Sequence, residues 1–379
     1  MSVDFEAEGL LEGCRDEDER AARRHLLEQL LRDAVPLEEL KLAVAEDRLA
    51  LLPAERALAG DGRYTLAEVA ERAGIDERFL VAERQAFGMS VPAPGEKTLT
   101  DDDLGAAERI KQFRDAGLPD EGMLEAARVM GQSMANVAAA SRRLVGQALL
   151  QPGDTELEVG RRYADSVAEL GPLMGTLLEH QWRLHMREGL RRDAVGRAER
   201  ESGRLAGGTT VSVAFADMVD FTRLGERLPA ADLGRVAGRL AVLAAGVAEP
   251  PVRLVKTIGD AAMLVSDAAE PLIVAVLDLV AAADEEGEDF PELRAGVAVG
   301  EALNSGGDWY GSPVNLASRV TAVARPGSVL ATTDARDAAA DGFRWSRAPA
   351  RHFKGIDGRV PLYRARRLGE DGDASERDD

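Results

Sequence analysis

The sequence predicts an all-α N-terminal half followed by an α/β or α+β domain of roughly 160 residues, an ordinary domain size. Three observations predict it. The chain has 379 residues, which favours two domains over one. Its first half is rich in Ala, Leu, Arg and Glu, with apolar residues at helical spacing. From Thr210 onward, short β-branched runs alternate with helical stretches.

The segments "ERAARRHLLEQLLRDAV" and "LEAARVMGQSMANVAAASRRLVGQALL" read as amphipathic helices, and no strand is expected before about Thr209. "LLEHQWRLHMREGLRRDAVGRAERESG" reads as a long helix ending in a charged connector, broken by the glycine pair of "AGGTT" at 206–210. "TVSVAFA", "VRLVKT", "AAMLVS", "LRAGVAVG" and "GSVLATT" follow as strands, separated by helical stretches. The tail "GEDGDASERDD" is nearly without apolar residues and is expected to be disordered.

Asp and Glu number 67 against 47 Lys and Arg, a formal net charge of −20. Such a chain is ill suited to coat nucleic acid or anionic lipid, so both partners are disfavoured. The single cysteine, Cys14, excludes an intrachain disulfide and fits a reducing compartment. The N-terminus is acidic, unlike a secretory signal. The most apolar run, "PLIVAVLDLVAAA", carries Asp278 and is too short to span a bilayer. A cytoplasmic protein with no membrane partner is expected.

"FADMVDFTRLGE" places Asp217 and Asp220 where a strand gives way to a helix. Helix capping is one reading, since Asp favours a first turn. A metal site for a phosphate substrate is the other. "VRLVKTIGDAAMLVS" reads as a β-hairpin with Gly259 at its turn, which brings Asp260 beside the strand end that carries Asp217. Two converging carboxylates repel unless a cation lies between them. Mg²⁺ suits them, with hard oxygen ligands and few of those from protein. In "GDWYGSPVNLASRV", Asn315 and Arg319 are four apart and share a helix face. They read as a solvated surface or as a clamp for ribose and phosphoryl oxygens.

"FADMVDFT", "VKTIGDAAML" and "GDWYGSPVNLASRV", in that order, resemble the class III nucleotidyl cyclases over about 209–366. The resemblance implies a ferredoxin-like α+β domain of βαββαβ type. It implies a metal site at Asp217, Met218 and Asp260, holding two ions, Mg²⁺ or Mn²⁺, in each active site, with Asp220 only part of the helix start. Lys256 and Asp308 match the positions that read the base, and this pair is the pattern of ATP-using members. Lys can donate to adenine N1, and Asp can accept from the exocyclic amine. Asn315 would orient the ribose, and Arg319 would stabilise charge on the α-phosphate. Arg294 matches an arginine that contacts the terminal phosphates in some members. Lys354 matches the first lysine of a late "KGKG"-type motif, but Ile356 stands where the second would be. The family draws its metal aspartates from one subunit and the Asn and Arg from the other. A homodimer with active sites at the subunit interface, acting on ATP, is therefore implied. A degenerate, non-catalytic domain would be expected to lack one of Asp217, Asp260, Lys256, Asp308, Asn315 and Arg319, and all six are present.

The segment 63–89 resembles a MerR-type helix-turn-helix, and the likeness extends to about 130. Its second helix begins "DERFL", with carboxylates where DNA phosphates would lie, so a scaffold reused for protein contact is the better fit. Certain actinobacterial cyclases join a helical N-terminal regulatory domain to a class III catalytic domain, and in at least one the former inhibits and responds to pH. The resemblance divides the chain into a regulatory domain at 1–190, a linker at 191–208, a catalytic domain at 209–368 and a tail at 369–379. His180 and His185, in "LLEHQWRLHMREG", are physically able to act as a pH switch. Partly buried packing residues are the plainer alternative.

Overall fold

Helices alone build the first part of the chain. The computed structural model describes residues 3–60, 62–201, 208–287, 289–339 and 341–368. Two units divide the chain, residues 1–198 and 199–379. The expected tail at 369–379 and the start of the expected break at 206–207 lie outside the described residues.

The first unit holds α1 (Glu17–Arg32), α2 (Leu37–Ala45), α3 (Leu52–Ala59), α4 (Leu66–Ala73), α5 (Glu77–Ala86), α6 (Asp101–Asp115), α7 (Asp120–Leu149) and most of α8 (Glu156–Glu201). Asp16 starts α1 by accepting the Glu19 N–H, and three acids follow in the first turn, where the helix dipole favours them. Leu26, Leu27 and Leu30 then join Phe5, Leu40 and Leu49 in one core. A bidentate ion pair from Arg23 to Glu156, at 2.7 and 2.6 Å, ties α1 to the start of α8. A second core gathers Val69, Ile75, Phe79, Leu80 and Leu99.

That second core is built on α4 and α5, the two helices of the segment 63–89. Thr65 and Glu68 form a reciprocal capping box on α4, Gly74 ends it in the left-handed conformation, and Asp76 caps α5. Arg84 of α5 donates to the Ser90 carbonyl and to Asp103, so that cation is engaged within the protein. Before Thr209 the described residues contain only an isolated bridge, between Tyr64 and Leu99.

α8 continues without interruption past residue 190, so the boundary expected there falls inside a helix. His180 and His185 are both exposed on it among the described residues. Leu170, Leu173, Leu177, Trp182, Met186 and Leu190 are exposed along the same helix. Among the described residues, no helix is long and apolar enough to cross a membrane.

The second unit holds strands β1 (Thr209–Met218), β2 (Arg253–Ile258), β3 (Ala261–Ser266), β4 (Leu293–Ser305), β5 (Asp308–Gly311), β6 (Ser328–Thr332), β7 (Phe343–Arg351) and β8 (Val360–Arg367). Its helices are α9 (Phe221–Gly225), α10 (Ala230–Gly246), α11 (Ala269–Glu285), α12 (Ser312–Val323) and α13 (Thr333–Asp337). The sheet order is β2-β3-β1-β4-β6-β8-β7, with β5 paired to β4. Within β2-β3-β1-β4 every neighbour is antiparallel, which is the ferredoxin-like arrangement expected.

Alternation along the strands divides the sheet into two faces. Ala214, Ala216, Leu264, Ala295 and Val297 pack under α10 and α11. α11 buries eight residues there, and each fully buried aliphatic contributes on the order of 2 kcal/mol relative to exposure. Val211, Val213, Met263, Ala298 and Trp309 face the other way and pack with Ala317 of α12. A Cβ on Gly296 would meet the Ala317 carbonyl at 2.7 Å, so glycine lets α12 lie directly on β4. Thr321 then donates its hydroxyl to the Phe215 carbonyl at 3.1 Å, joining α12 to β1.

Candidate active site

Asp217 follows Val211, Val213 and Phe215 in the alternation of β1, so it lies on the α12 face at the strand's end. It pairs in register with Ala261 on β3 and Arg294 on β4. Gly259, at φ +59°, turns the β2–β3 hairpin and places Asp260 immediately before Ala261. The Met218 N–H donates to the Asp260 carbonyl at 2.9 Å, which locks the turn to the strand end. The two aspartates expected to meet are therefore brought together.

Their electrostatics follow from that placement. Burial pushes the Asp217 carboxyl above its usual range, and the nearby Asp260 charge pushes the same way, while Arg294 opposes both. Arg294 reaches Asp217 Oδ2 with Nε at 3.1 Å and Nη2 at 2.7 Å, and its Nη1 donates to the Ala322 carbonyl at the end of α12. A cation thus already sits on one of two adjacent carboxylates. The donor set fits a divalent ion of the Mg²⁺ type, which takes few protein oxygens and fills its shell with water and phosphate. No group of three or more His, Cys, Asp or Glu that could hold a metal occurs among the described residues. Met218 differs from its neighbours. Its side chain is buried in the α11 core, so only its backbone carbonyl is available as a ligand.

Asp220 neither caps nor joins the cluster. It stands before α9 in the left-handed conformation, makes no side-chain cap, and pairs with Arg223 at 3.6 Å. The capping reading of this stretch therefore fails for Asp220.

A second cluster forms on the same face. β2 is bulged between Leu254 and Lys256, so Lys256 lies opposite Met263. Met263 belongs to the α12-face core, so the bulge turns Lys256 onto that face. There Lys256 forms an ion pair with Asp308, the first residue of β5. Burial raises the Asp308 carboxyl, but hydrogen bonds from Lys256 and from the Trp309 N–H, the latter at 2.8 Å, outweigh it and hold the group below its usual range.

Asn315 and Arg319 lie on α12, whose Pro313, Ala317, Val320 and Thr321 are buried. Asn315 is exposed and Arg319 half-buried. No hydrogen bond or ion pair joins either side chain to the two clusters among the described residues. Lys354 is exposed in the β7–β8 loop. The pairing of Arg294 with Asp217 was not visible in the sequence. Its signal is the β1–β4 register, which joins residues 77 positions apart.

Residues 3–190 match the adenylate cyclase regulatory domain family, and residues 206–363 match the adenylate and guanylate cyclase catalytic domain family. The pH-sensitive adenylate cyclase MT1302 of Mycobacterium tuberculosis is 40% identical over 356 residues, covering 92% of this chain and 89% of its own. The uncharacterized protein Rv2212 of the same species is 32% identical, over 96% and 94% of the two chains. An adenylate cyclase of Streptomyces coelicolor is 32% identical, over 76% and 74%.

Proposed function

Because the chain belongs to the class III adenylate cyclases that carry a helical regulatory domain, we propose that it converts ATP to 3′,5′-cyclic AMP and pyrophosphate by in-line attack of the 3′-hydroxyl on the α-phosphorus, under inhibition by its N-terminal half. The observation that carries the chemistry is the pair of clusters on one sheet face, Asp217 with Asp260 and Lys256 with Asp308.

Each side chain has a part in this reading. Asp217 and Asp260, with the Met218 carbonyl, hold two divalent ions, Mg²⁺ or Mn²⁺. When bound, these ions acidify the ribose hydroxyl and neutralise the leaving pyrophosphate. Lys256 donates to adenine N1, and Asp308 accepts from the exocyclic amine. Their mutual ion pair holds both in position before ATP arrives. Asn315 orients the ribose. Arg319 meets the charge that develops on the α-phosphate. Arg294, which pairs with Asp217 in this structure, would contact the terminal phosphates of bound ATP.

A homodimer completes the site. One face of the sheet is covered by two 17-residue helices, the other by the 12-residue α12. Ile258 and Tyr310, in the strands that carry Lys256 and Asp308, are exposed. A second catalytic domain that covers this face brings its own Asn315 and Arg319 to the metal aspartates of the first. The N-terminal half then inhibits by controlling how the two catalytic domains meet. The relative named for its pH sensitivity supports pH as the signal, and the exposed His180 and His185 on α8 are the first residues to examine.

The test is cyclic AMP formation from ATP with Mg²⁺ or Mn²⁺, across pH, for the full chain and for a truncated chain starting near Arg204. A truncated chain that is active where the full chain is quiet supports both the cyclase and the inhibition. Equal activity keeps the enzyme and removes the inhibition. Inactivity of both, with GTP also inert, removes the catalytic reading.

A further inference from the structure

Several arginines of this acidic chain meet a carboxylate, as Arg23 does Glu156, Arg239 does Glu286 and Arg367 does Asp278. One group does not. A cavity of about 270 Å³ is walled by β6, β7, β8 and the end of α12, and Arg325, Arg347, Arg351 and Arg364 all line it. The rest of its wall is apolar or hydroxyl-bearing, with no carboxylate. None of the four guanidinium groups has a hydrogen-bond or ion-pair partner among the described residues.

Arg364 is the sharpest feature. β8 holds it between Leu330 of β6 and Ser346 of β7. Its Nε is buried with no hydrogen-bond partner, alone in this among the buried side-chain nitrogens and oxygens of the described residues. Burial pushes its pKa down, and Arg366 and Arg325 push the same way. A guanidinium Nε buried without a partner costs free energy, and neighbouring like charges add to the cost. An oxyanion in the cavity reverses both. The guanidinium fork matches phosphate oxygens in geometry, and two or more forks around one cavity give charge-assisted, bidentate contacts.

We propose that this cavity binds a small phosphate-bearing anion, held by Arg325, Arg347, Arg351 and Arg364. None of the four belongs to the metal, base or ribose positions of the active site, so the proposal does not rest on the cyclase reading. Its volume of about 270 Å³ suits phosphate, pyrophosphate or a small phosphate ester. Free phosphate and the reaction product pyrophosphate share the chemistry, and the probes below separate them.

The experiment is thermal unfolding of the full chain in EDTA, at ionic strength fixed with sodium chloride, with added phosphate, pyrophosphate or cyclic AMP. EDTA and the D217N variant remove metal-dependent binding at the active site. Saturating phosphate or pyrophosphate is expected to raise Tm by about 3 °C or more. R347Q/R351Q, at two exposed positions, is expected to lose that rise, and D217N to keep it. R364M removes the buried, unpartnered Nε and one of several crowded positive charges, so it is expected to unfold at higher temperature than wild type without anion, and not to respond to anion. A response to phosphate assigns a monoester or free phosphate, and a response to pyrophosphate alone assigns a diphosphate. The proposal is overturned if no probe shifts Tm at millimolar concentration. A rise that survives in R347Q/R351Q, or vanishes in D217N, overturns it too, as does an R364M chain that is less stable and still responds.

Discussion

At the scale of single residues, the Lys256–Asp308 pair and the Arg294–Asp217 pair do opposite things. The first is an ion pair that, in the proposed function, presents a donor and an acceptor to a base. Guanine reverses both demands, so the proposed function assigns base choice to these two side chains. Replacing both, as K256E/D308C, is expected to lower kcat/KM for ATP by roughly 10²–10³-fold and to create turnover of GTP. K256E alone leaves two carboxylates facing each other and is expected to be worse with either nucleotide. Parallel kinetics with ATP and GTP decide this, and an unchanged preference in the double variant removes the pair from base reading. Arg294 instead offsets a carboxylate that burial and Asp260 both push toward protonation. Asp217 must be ionised to hold a cation, and a raised pKa leaves it ionised only at higher pH. R294Q removes the opposing influence, so the pKa rises further. The acid limb of the pH–activity curve should therefore move to higher pH, with kcat/KM down about 10-fold or more from the lost phosphate contact. An acid limb that stays in place would show that Arg294 does not tune Asp217.

At the scale of elements, the site is assembled by register and by one close helix contact. Gly296 lets α12 rest on β4, and Thr321 bonds the helix to β1. A side chain at position 296 must push α12 away from the strand and carry Asn315 and Arg319 with it. G296V is therefore expected to reduce activity by about 10²-fold, because a misplacement near 1 Å costs that much, while the Lys256–Asp308 cluster stays in place. The discriminating measurement is KM against kcat: a loss mainly in kcat with a folded chain fits displaced Asn315 and Arg319. The strands themselves were legible. "TVSVAFA" alternates its apolar residues, and the hairpin around Gly259 carries its turn signal in three residues. The bulge at β2 was not legible. It inserts Val255 into an otherwise regular pairing, and no residue there is a glycine or proline that would mark it. Without the bulge, strand alternation would put Lys256 on the α11 face, away from Asp308. The Arg294–Asp217 contact was hidden for a related reason: each residue is locally an ordinary strand charge, and only long-range pairing joins them. Asp220 shows the converse, a strong local capping signal that the left-handed backbone overrides.

At the scale of the whole molecule, the decisive question is how one chain's residues are shared between sites. Each catalytic domain carries Asp217 and Asp260 at one strand end and Asn315 with Arg319 on α12, and among the described residues no bond joins the two sets. In the proposed two-fold dimer these halves are exchanged, so each site would take its aspartates from one subunit and its Asn and Arg from the other. This makes a sharp prediction for mixed variants. D217N alone has two sites without a metal carboxylate, and R319A alone has two without the transition-state cation, so each is expected to be inactive. In a mixed dimer, one site collects both lesions and the other collects none. Random mixing makes half of the dimers mixed, each with one intact site of two, so activity should return to about a quarter of wild type. Cyclic AMP formation after mixing the purified variants measures it, with the time course set by subunit exchange. Restoration near that fraction places the active site across the interface. No restoration, with exchange verified by differently tagged chains, places all the residues of each site within one subunit and removes the dimer from the mechanism. Regulation would then require the N-terminal half to act on the catalytic domain of its own chain.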